Sequence, residues 1–311
     1  MERLGRSVCV ALLCLAGCAG FPVADYPASR SGDIPGRVEL RDVPFYAQAQ
    51  YQCGPAALAM ALTYAGVPRI PADLTEQVFI PGREGSLQAE MLAATRRAGL
   101  LAYTLSPASD MLLQELAAGH PVVVLLNLRF DLFPQWHYAV AIGYDLANAE
   151  IVLRSGAEAR LVMKLDEFDR AWAKAERWAF VALPPDRMPA SAIEPAYVQA
   201  AIQLERLAPK SARVAYATAL AKWPANLIAR MGQGNAAYRE HELVAAEAEY
   251  RRATVDHPEA ADAWNNLAQV LHERKDDVAA LAAAERAVAI GGQRKAIYES
   301  THAAIKDEIL R

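Results

Sequence analysis

The hydrophobic and polar pattern changes character three times along this chain. An apolar run of 11 residues, Ser7 to Gly17, follows Arg3 and Arg6. As a helix it would span ~16 Å, about half a bilayer core, which suits a signal peptide rather than a membrane span. No later stretch reaches the ~18 continuous apolar residues a span needs. From Val38 the pattern is mixed. Val38 to Tyr46 alternates, and Pro55 to Ala65 is rich in Ala, Leu and Met and predicts a helix with one buried face through Leu58, Leu62 and Ala65, ended by Gly66. Ser86 is the expected N-cap of a second helix running to about Ala98, and a third covers about Ser109 to Ala118. Pro121 to Leu128 reads as a strand buried on both faces, His137 to Asp145 as a strand opening on histidine, and Glu150 to Gly156 as its hairpin partner. A further strand near Trp178 to Leu183 closes the unit. Beyond Pro184 and Pro185 the chain is alanine-rich and helical to its last residue.

The helical part repeats. At an offset of 34, Pro224 maps to Pro258, Gly234 to Ala268, Ala246 to Ala280 and Ala253 to Ala287. Trp264-Asn265-Asn266-Leu267-Ala268, and the set Ala246, Tyr250, Ala253 and Pro258, resemble the tetratricopeptide pattern. Ala212, Tyr216, Ala219 and Pro224 fit a degenerate earlier copy, and Lys295 to Leu310 reads as a closing helix. The resemblance implies a solenoid whose groove binds a protein partner, or a scaffold that stiffens its neighbour.

Composition narrows the function. The chain has 311 residues, 54 % hydrophobic and 22 % charged, with a formal net charge of −4. No basic face for nucleic acid is expected, no Cys/His cluster has zinc spacing, and no glycine-rich phosphate loop occurs, so neither metal nor cofactor is implied. The four cysteines exclude a disulfide framework, since Cys9, Cys14 and Cys18 crowd the start and Cys53 stands alone.

Leu15-Ala16-Gly17-Cys18 resembles the bacterial lipoprotein box. That resemblance implies removal of residues 1–17 and lipidation of Cys18, so that the membrane is met by the lipid anchor only. Ala19 in place of Asp then implies the bacterial cell envelope at the periplasmic face of the outer membrane. Residues 18–37, with three prolines and two glycines between Phe21 and Gly36, read as a tether. Cys53 is then the one free thiol of the mature chain.

Cys53 falls at the start of the first predicted helix. Unpaired N–H groups and the positive end of the dipole favour a thiolate there, as a nucleophile requires. Gln48, Gln50 and Gln52 are candidates to bind a developing oxyanion. A structural cysteine with three solvated glutamines satisfies the same residues. Among other side chains, His120 reads as a loop or cap residue and Trp136 as a shield for the site or as packing. Phe168 and Trp172 read as core, Asp145 as turn chemistry, and the charged residues of 83–97 as a solvated face.

Gln48 with Cys53-Gly54-Pro55-Ala56-Ala57-Leu58, then Pro121 to Leu126, then His137 to Asp145, resembles the papain-like bacteriocin-processing (double-glycine leader) peptidases over about Val38 to Leu183. The resemblance implies an α+β papain-like cysteine peptidase domain, a helix packed on an antiparallel sheet, followed here by the all-α tetratricopeptide solenoid. It makes Cys53 the nucleophile, His137 the general base and acid, and Gln48 the oxyanion donor. Two positions depart from the pattern. Ala47 stands six residues before the cysteine, where the family has Gln, and Arg154-Ser155-Gly156 stands where the family has an Asp or Asn. Ser155 is left as the group that could orient the imidazole. The expected plan is a signal at 1–17, a tether at 18–37, a peptidase domain at 38–183, a linker at 184–192 and repeats at 193–311. The expected activity is peptide hydrolysis in the envelope. Amidase or transpeptidase chemistry, or a non-catalytic peptide-binding adaptor, are the other readings.

Overall fold

The computed structural model describes residues 34–48 and 52–310. The signal segment, Cys18, most of the tether and Gln50 lie outside the described residues. Among the described residues no helix is long and apolar enough to cross a membrane.

The first part is a seven-stranded antiparallel sheet clad on both faces. Its strands are β1 (Arg37–Glu39), β4 (Leu101–Thr104), β5 (Val122–Asn127), β6 (Trp136–Asp145), β7 (Glu150–Ser155), β8 (Glu158–Lys164) and β9 (Ala179–Leu183). They lie in the order β4-β9-β5-β6-β7-β8, with β1 also on β6. The strand expected to close the unit, β9, is internal, one in from the edge between β4 and β5. Two strands were not expected from the pattern. β4 is short, and β8 is an edge strand with no fully buried position, so neither carries a clear apolar period.

β5 shows how the two faces fill. Val123 and Leu125 enter one core with Tyr138, Val140 and Ile142 of β6, whereas Val122, Val124 and Leu126 enter the other with Ala139 and Ala141. On the first face lies α1 (Cys53–Tyr64). Its residues 54–62 are all buried, so it is a central helix rather than a one-faced one. The reason is a second cover: α2 (Pro71–Val78) and α3 (Gln88–Arg97) pack over it. Between them a short hairpin, β2 (Phe79–Ile80) with β3 (Gly85–Ser86), turns through Pro81–Arg83.

Ser86 is not an N-cap. α3 starts at Gln88 with Leu87 before it, and Ser86 lies in β3 against Gly54. A Cβ at position 54 would come within 2.6 Å of the Ser86 Cβ, so only glycine admits this approach. Tyr138 Oη donates to the Ser86 carbonyl at 3.2 Å and fixes the hairpin from the sheet side.

On the other face lie α4 (Ser109–Ala117), α5 (Leu165–Ala173) and the first helices of the second part. Phe168 and Trp172 of α5 are core. The second part is a run of seven helices: α6 (Glu194–Glu205), α7 (Pro209–Lys222), α8 (Leu227–Arg239), α9 (Leu243–Asp256), α10 (Ala261–Glu273), α11 (Asp277–Ile290) and α12 (Lys295–Ile309). Gly232 and Gly234 of α8 receive the rings of Tyr216 and Tyr250 so closely that a Cβ on either would stand 2.5 Å from a ring carbon.

The connection at 184–192 packs against the sheet. Glu115 of α4, with no exposed surface, accepts from Ser191 N at 2.7 Å and Ser191 Oγ at 2.6 Å, and pairs with His120 Nδ1 at 2.6 Å. Tyr103 Oη donates to the Ser191 carbonyl and accepts from Ile193 N. His120 thus sits in the loop after α4, as expected, with a partner that spacing does not reveal. Tyr197 of α6 and Tyr216 of α7 share one core with Leu101 and Tyr103 of β4. The repeat array is therefore built on the sheet.

Candidate active site

The site is a cavity of about 1000 Å³ between the start of α1, the start of β6 and the β2–β3 hairpin. Cys53, His137 and Gln48 line it, with Ser86, Trp136 and Gly156. Cys53 is the first residue of α1, and the preceding Gln52 offers no side-chain cap. Of the two expected glutamines that the structure describes, Gln48 lines the cavity and Gln52 does not.

Gln48 is held at both ends of its amide. Oε1 accepts from Gly156 N at 2.9 Å, and Nε2 donates to the Tyr138 carbonyl at 3.3 Å. One of the two Nε2 hydrogens is therefore used and the other remains. The backbone is fixed as well, by Gln48 N donating to the Gly156 carbonyl at 3.0 Å. Arg154 secures the approach, donating to the carbonyls of Val43 at 2.8 Å and Arg41 at 3.0 Å.

His137 Nε2 lies 2.9 Å from Ser155 Oγ. Ser155 is 8 % exposed. A hydroxyl can donate or accept, so this contact orients the ring without dictating its tautomer. With Nε2–H donating to Ser155, Nδ1 keeps a lone pair. Asp145, by contrast, accepts from Asn148 N at 3.1 Å in the β6–β7 turn and takes no part. Ser155 and Gly156 are adjacent at the end of β7, so one hairpin orients both the imidazole and the glutamine amide.

The electrostatics differ from the expectation for a helix start. Burial pushes the Cys53 thiol up, and it outweighs the main-chain N–H groups of Tyr138, Gly54 and Cys53 itself, which act the other way. Burial pushes the His137 imidazole down. No hydrogen bond joins thiol and imidazole among the described residues. The resting pair is therefore neutral near pH 7. Tyr138 Oη is also pushed up, first by burial and then by the proximity of Cys53.

Of the two readings of Trp136, packing drops out, since it is 52 % exposed and lines the cavity. Arg83 and Glu84 are exposed, as expected of a solvated face, and also border the cavity. The spacing gave no sign of Ser86, whose Oγ is buried in the cavity without a hydrogen-bond partner. Among the described residues no cluster of His, Cys, Asp or Glu has the makings of a metal site.

The model of the Peptidase_C39 like family matches residues 40–179, and that of the tetratricopeptide repeat matches 197–254 and 245–295. The chain joins a C39-like peptidase domain to tetratricopeptide repeats. Among solved structures, a C39-like peptidase from Bacillus anthracis aligns at 19 % identity and a TM-score of 0.40, covering 47 % of this chain and 97 % of that one. No curated protein matches the sequence. The family match suggests a domain of the cysteine peptidase type, and repeats of this kind suggest protein–protein interaction.

Proposed function

We propose that this chain is a cysteine peptidase of the bacterial cell envelope. Cys53 is the nucleophile, His137 the base and acid, Gln48 the oxyanion donor and Ser155 the group that orients the imidazole. The observation that carries this reading is the shared hairpin, in which Ser155 meets His137 and Gly156 meets Gln48 at the cavity that Cys53 lines.

The chemistry runs in two halves. As a peptide carbonyl approaches, the thiol proton passes to His137 Nδ1 and sulfur attacks the carbonyl carbon. The oxyanion accepts a hydrogen bond from the free Nε2–H of Gln48. The imidazolium then protonates the leaving amine, the C–N bond breaks and a thioester remains. Water, deprotonated by the imidazole, attacks the thioester. Collapse releases the acid and returns the proton to sulfur.

Cys18 carries the lipid, residues 18–37 form the tether at the periplasmic face of the outer membrane, and the repeats hold a substrate or partner protein. A Cys18→Ser variant should lose membrane association while keeping hydrolysis.

The test is incubation of the full chain with a peptide library, read by mass spectrometry, against Cys53→Ala. Hydrolysis lost in the variant supports the peptidase. A captured thioester passed to amines rather than water supports transpeptidase or amidase chemistry. The adaptor reading draws on the neutral resting pair and the hydroxyl in place of a carboxylate. It predicts peptide binding that Cys53→Ala leaves intact, with no turnover by the parent chain.

A further inference from the structure

The loop between β5 and β6, with the first residue of β6, exposes four large apolar side chains. Phe130 is 79 % exposed, Leu132 81 %, Phe133 71 % and Trp136 52 %. Exposed apolar side chains clustered this densely mark a binding surface.

The loop is also held. Asn127, 2 % exposed, sits at its base, and its Oδ1 accepts from Arg129 N at 3.1 Å and from Gln135 N at 3.0 Å. Leu128 N donates to the Gln135 carbonyl at 3.0 Å, closing the neck. Phe133 N donates to the Phe130 carbonyl at 3.1 Å, and Lys174 Nζ to the Arg129 carbonyl at 2.7 Å. A buried amide spent on the loop base keeps the apolar residues presented, so little order remains to be imposed on binding.

Its place identifies the occupant. Leu132 and Phe133 line a second, shallow depression of about 480 Å³ together with Arg129, Pro134 and Gln135. Pro134 and Gln135 also line the cavity of Cys53 and His137. The two hollows are therefore neighbours with a common wall. A peptide chain crossing the thiol can lay a side chain into the second hollow. A lipid surface would meet the tips of the loop but has no reason to adjoin the cavity of Cys53, whereas the shared wall of Pro134 and Gln135 joins the loop to it.

We infer that the 128–135 loop is a fixed apolar ledge that binds a bulky apolar side chain of the peptide substrate beside the scissile bond. The scissile bond rests on the peptidase reading, and the ledge on geometry alone. Burying one such side chain corresponds to about tenfold to hundredfold in affinity.

The test uses the full chain and a Leu132→Ser/Phe133→Ser double variant, whose changes are at exposed positions. The parent should cleave a proteome-derived peptide library with bulky apolar residues enriched at one fixed position, and the variant should lose at least tenfold of that preference. Cys53 alkylation by iodoacetamide should stay within twofold, which separates loss of the ledge from collapse of the site. A second arm needs no turnover. In a Cys53→Ala background, a fluorescein-labelled alanine-rich peptide carrying Leu-Phe should bind about tenfold tighter than its Ser-Ser counterpart, and the loop variant should erase the difference. Binding discrimination without cleavage would refute the peptidase and leave the ledge standing. No discrimination in the binding arm overturns the ledge. So does a Trp136 fluorescence shift with phosphatidylethanolamine–phosphatidylglycerol vesicles that the variant abolishes while peptide discrimination persists.

Discussion

Replacing Ser155 tests how the site is poised. The hydroxyl holds His137 Nε2 at 2.9 Å from a position that is 8 % exposed. A neutral hydrogen bond of this kind contributes about 0.5–1.5 kcal/mol, so Ser155→Ala should slow hydrolysis by about two- to tenfold. Ser155→Asp does more. A carboxylate beside the imidazole favours the imidazolium by about 1.4–4 kcal/mol, and the imidazolium in turn favours the thiolate. Burying the new carboxylate offsets part of this. A net gain near tenfold in thiolate at pH 7 is expected.

The assay is the rate of Cys53 carboxamidomethylation by iodoacetamide from pH 5 to 10, followed by intact mass, which requires no known substrate. In the parent chain the rate should climb only at alkaline pH, because burial holds the thiol above its ordinary value and the imidazole below its own. Ser155→Asp should add a rise on the neutral side, and Ser155→Ala should leave the profile within about threefold. Rapid labelling of the parent chain at pH 6 would refute the neutral resting pair. An unchanged profile in folded Ser155→Asp would show that the imidazole does not communicate with the sulfur.

Gln48→Ala should lower kcat by about 10²–10³ if its amide stabilises the oxyanion, with alkylation of Cys53 unchanged, as measured in parallel on one preparation. Gly54→Ala should destabilise the fold by about 1–3 kcal/mol in urea titration, because the new methyl group meets Ser86. Gly232→Ala should also lower the melting temperature, since its methyl group would enter the Tyr216 ring. Glu115 offers a pH test. Burial raises its pKa, but hydrogen bonds from His120 and Ser191 prevail, and the carboxyl ends below its ordinary value of 4.5. Its stabilisation is therefore complete above that value and fades as pH falls through the folded one. Glu115→Gln should accordingly destabilise the chain at pH 7 and converge with the parent in acid unfolding curves.

Much of this architecture was legible in the chain, and the parts that were not share a cause. Cys53, His137 and the 34-residue repeat are local patterns, and each appears where its motif implied. Ser155 was readable because a hairpin partner faces its strand in register. β9 was readable as a strand but not as an internal one, since its partners Leu101–Thr104 and Val123–Val124 are distant in sequence. The thiol poise was hidden for the same reason. A helix start argues for a lowered pKa, but the groups that bury Cys53 come from β6 and from the hairpin after α2. Ser86 read as a cap because Ser before a helix usually is one, and only the approach of Gly54 shows otherwise.

The sheet's two faces give the domain order a physical meaning. One face is covered by α1, which carries the thiol, and the other in part by α6 and α7 of the repeats. β4, which touches α6 and α7, pairs with β9; β9 pairs with β5; β5 pairs with β6, which carries His137. Glu115, Ser191 and Tyr103 lock the junction with buried hydrogen bonds. Removing residues 184–311 would expose Leu101 and Tyr103 to water and leave Glu115 without Ser191, at a cost of several kcal/mol from the apolar side chains alone. Truncation after Leu183 should therefore give an insoluble or unfolded fragment rather than an independent peptidase. A soluble fragment with the alkylation profile of the full chain would refute the dependence.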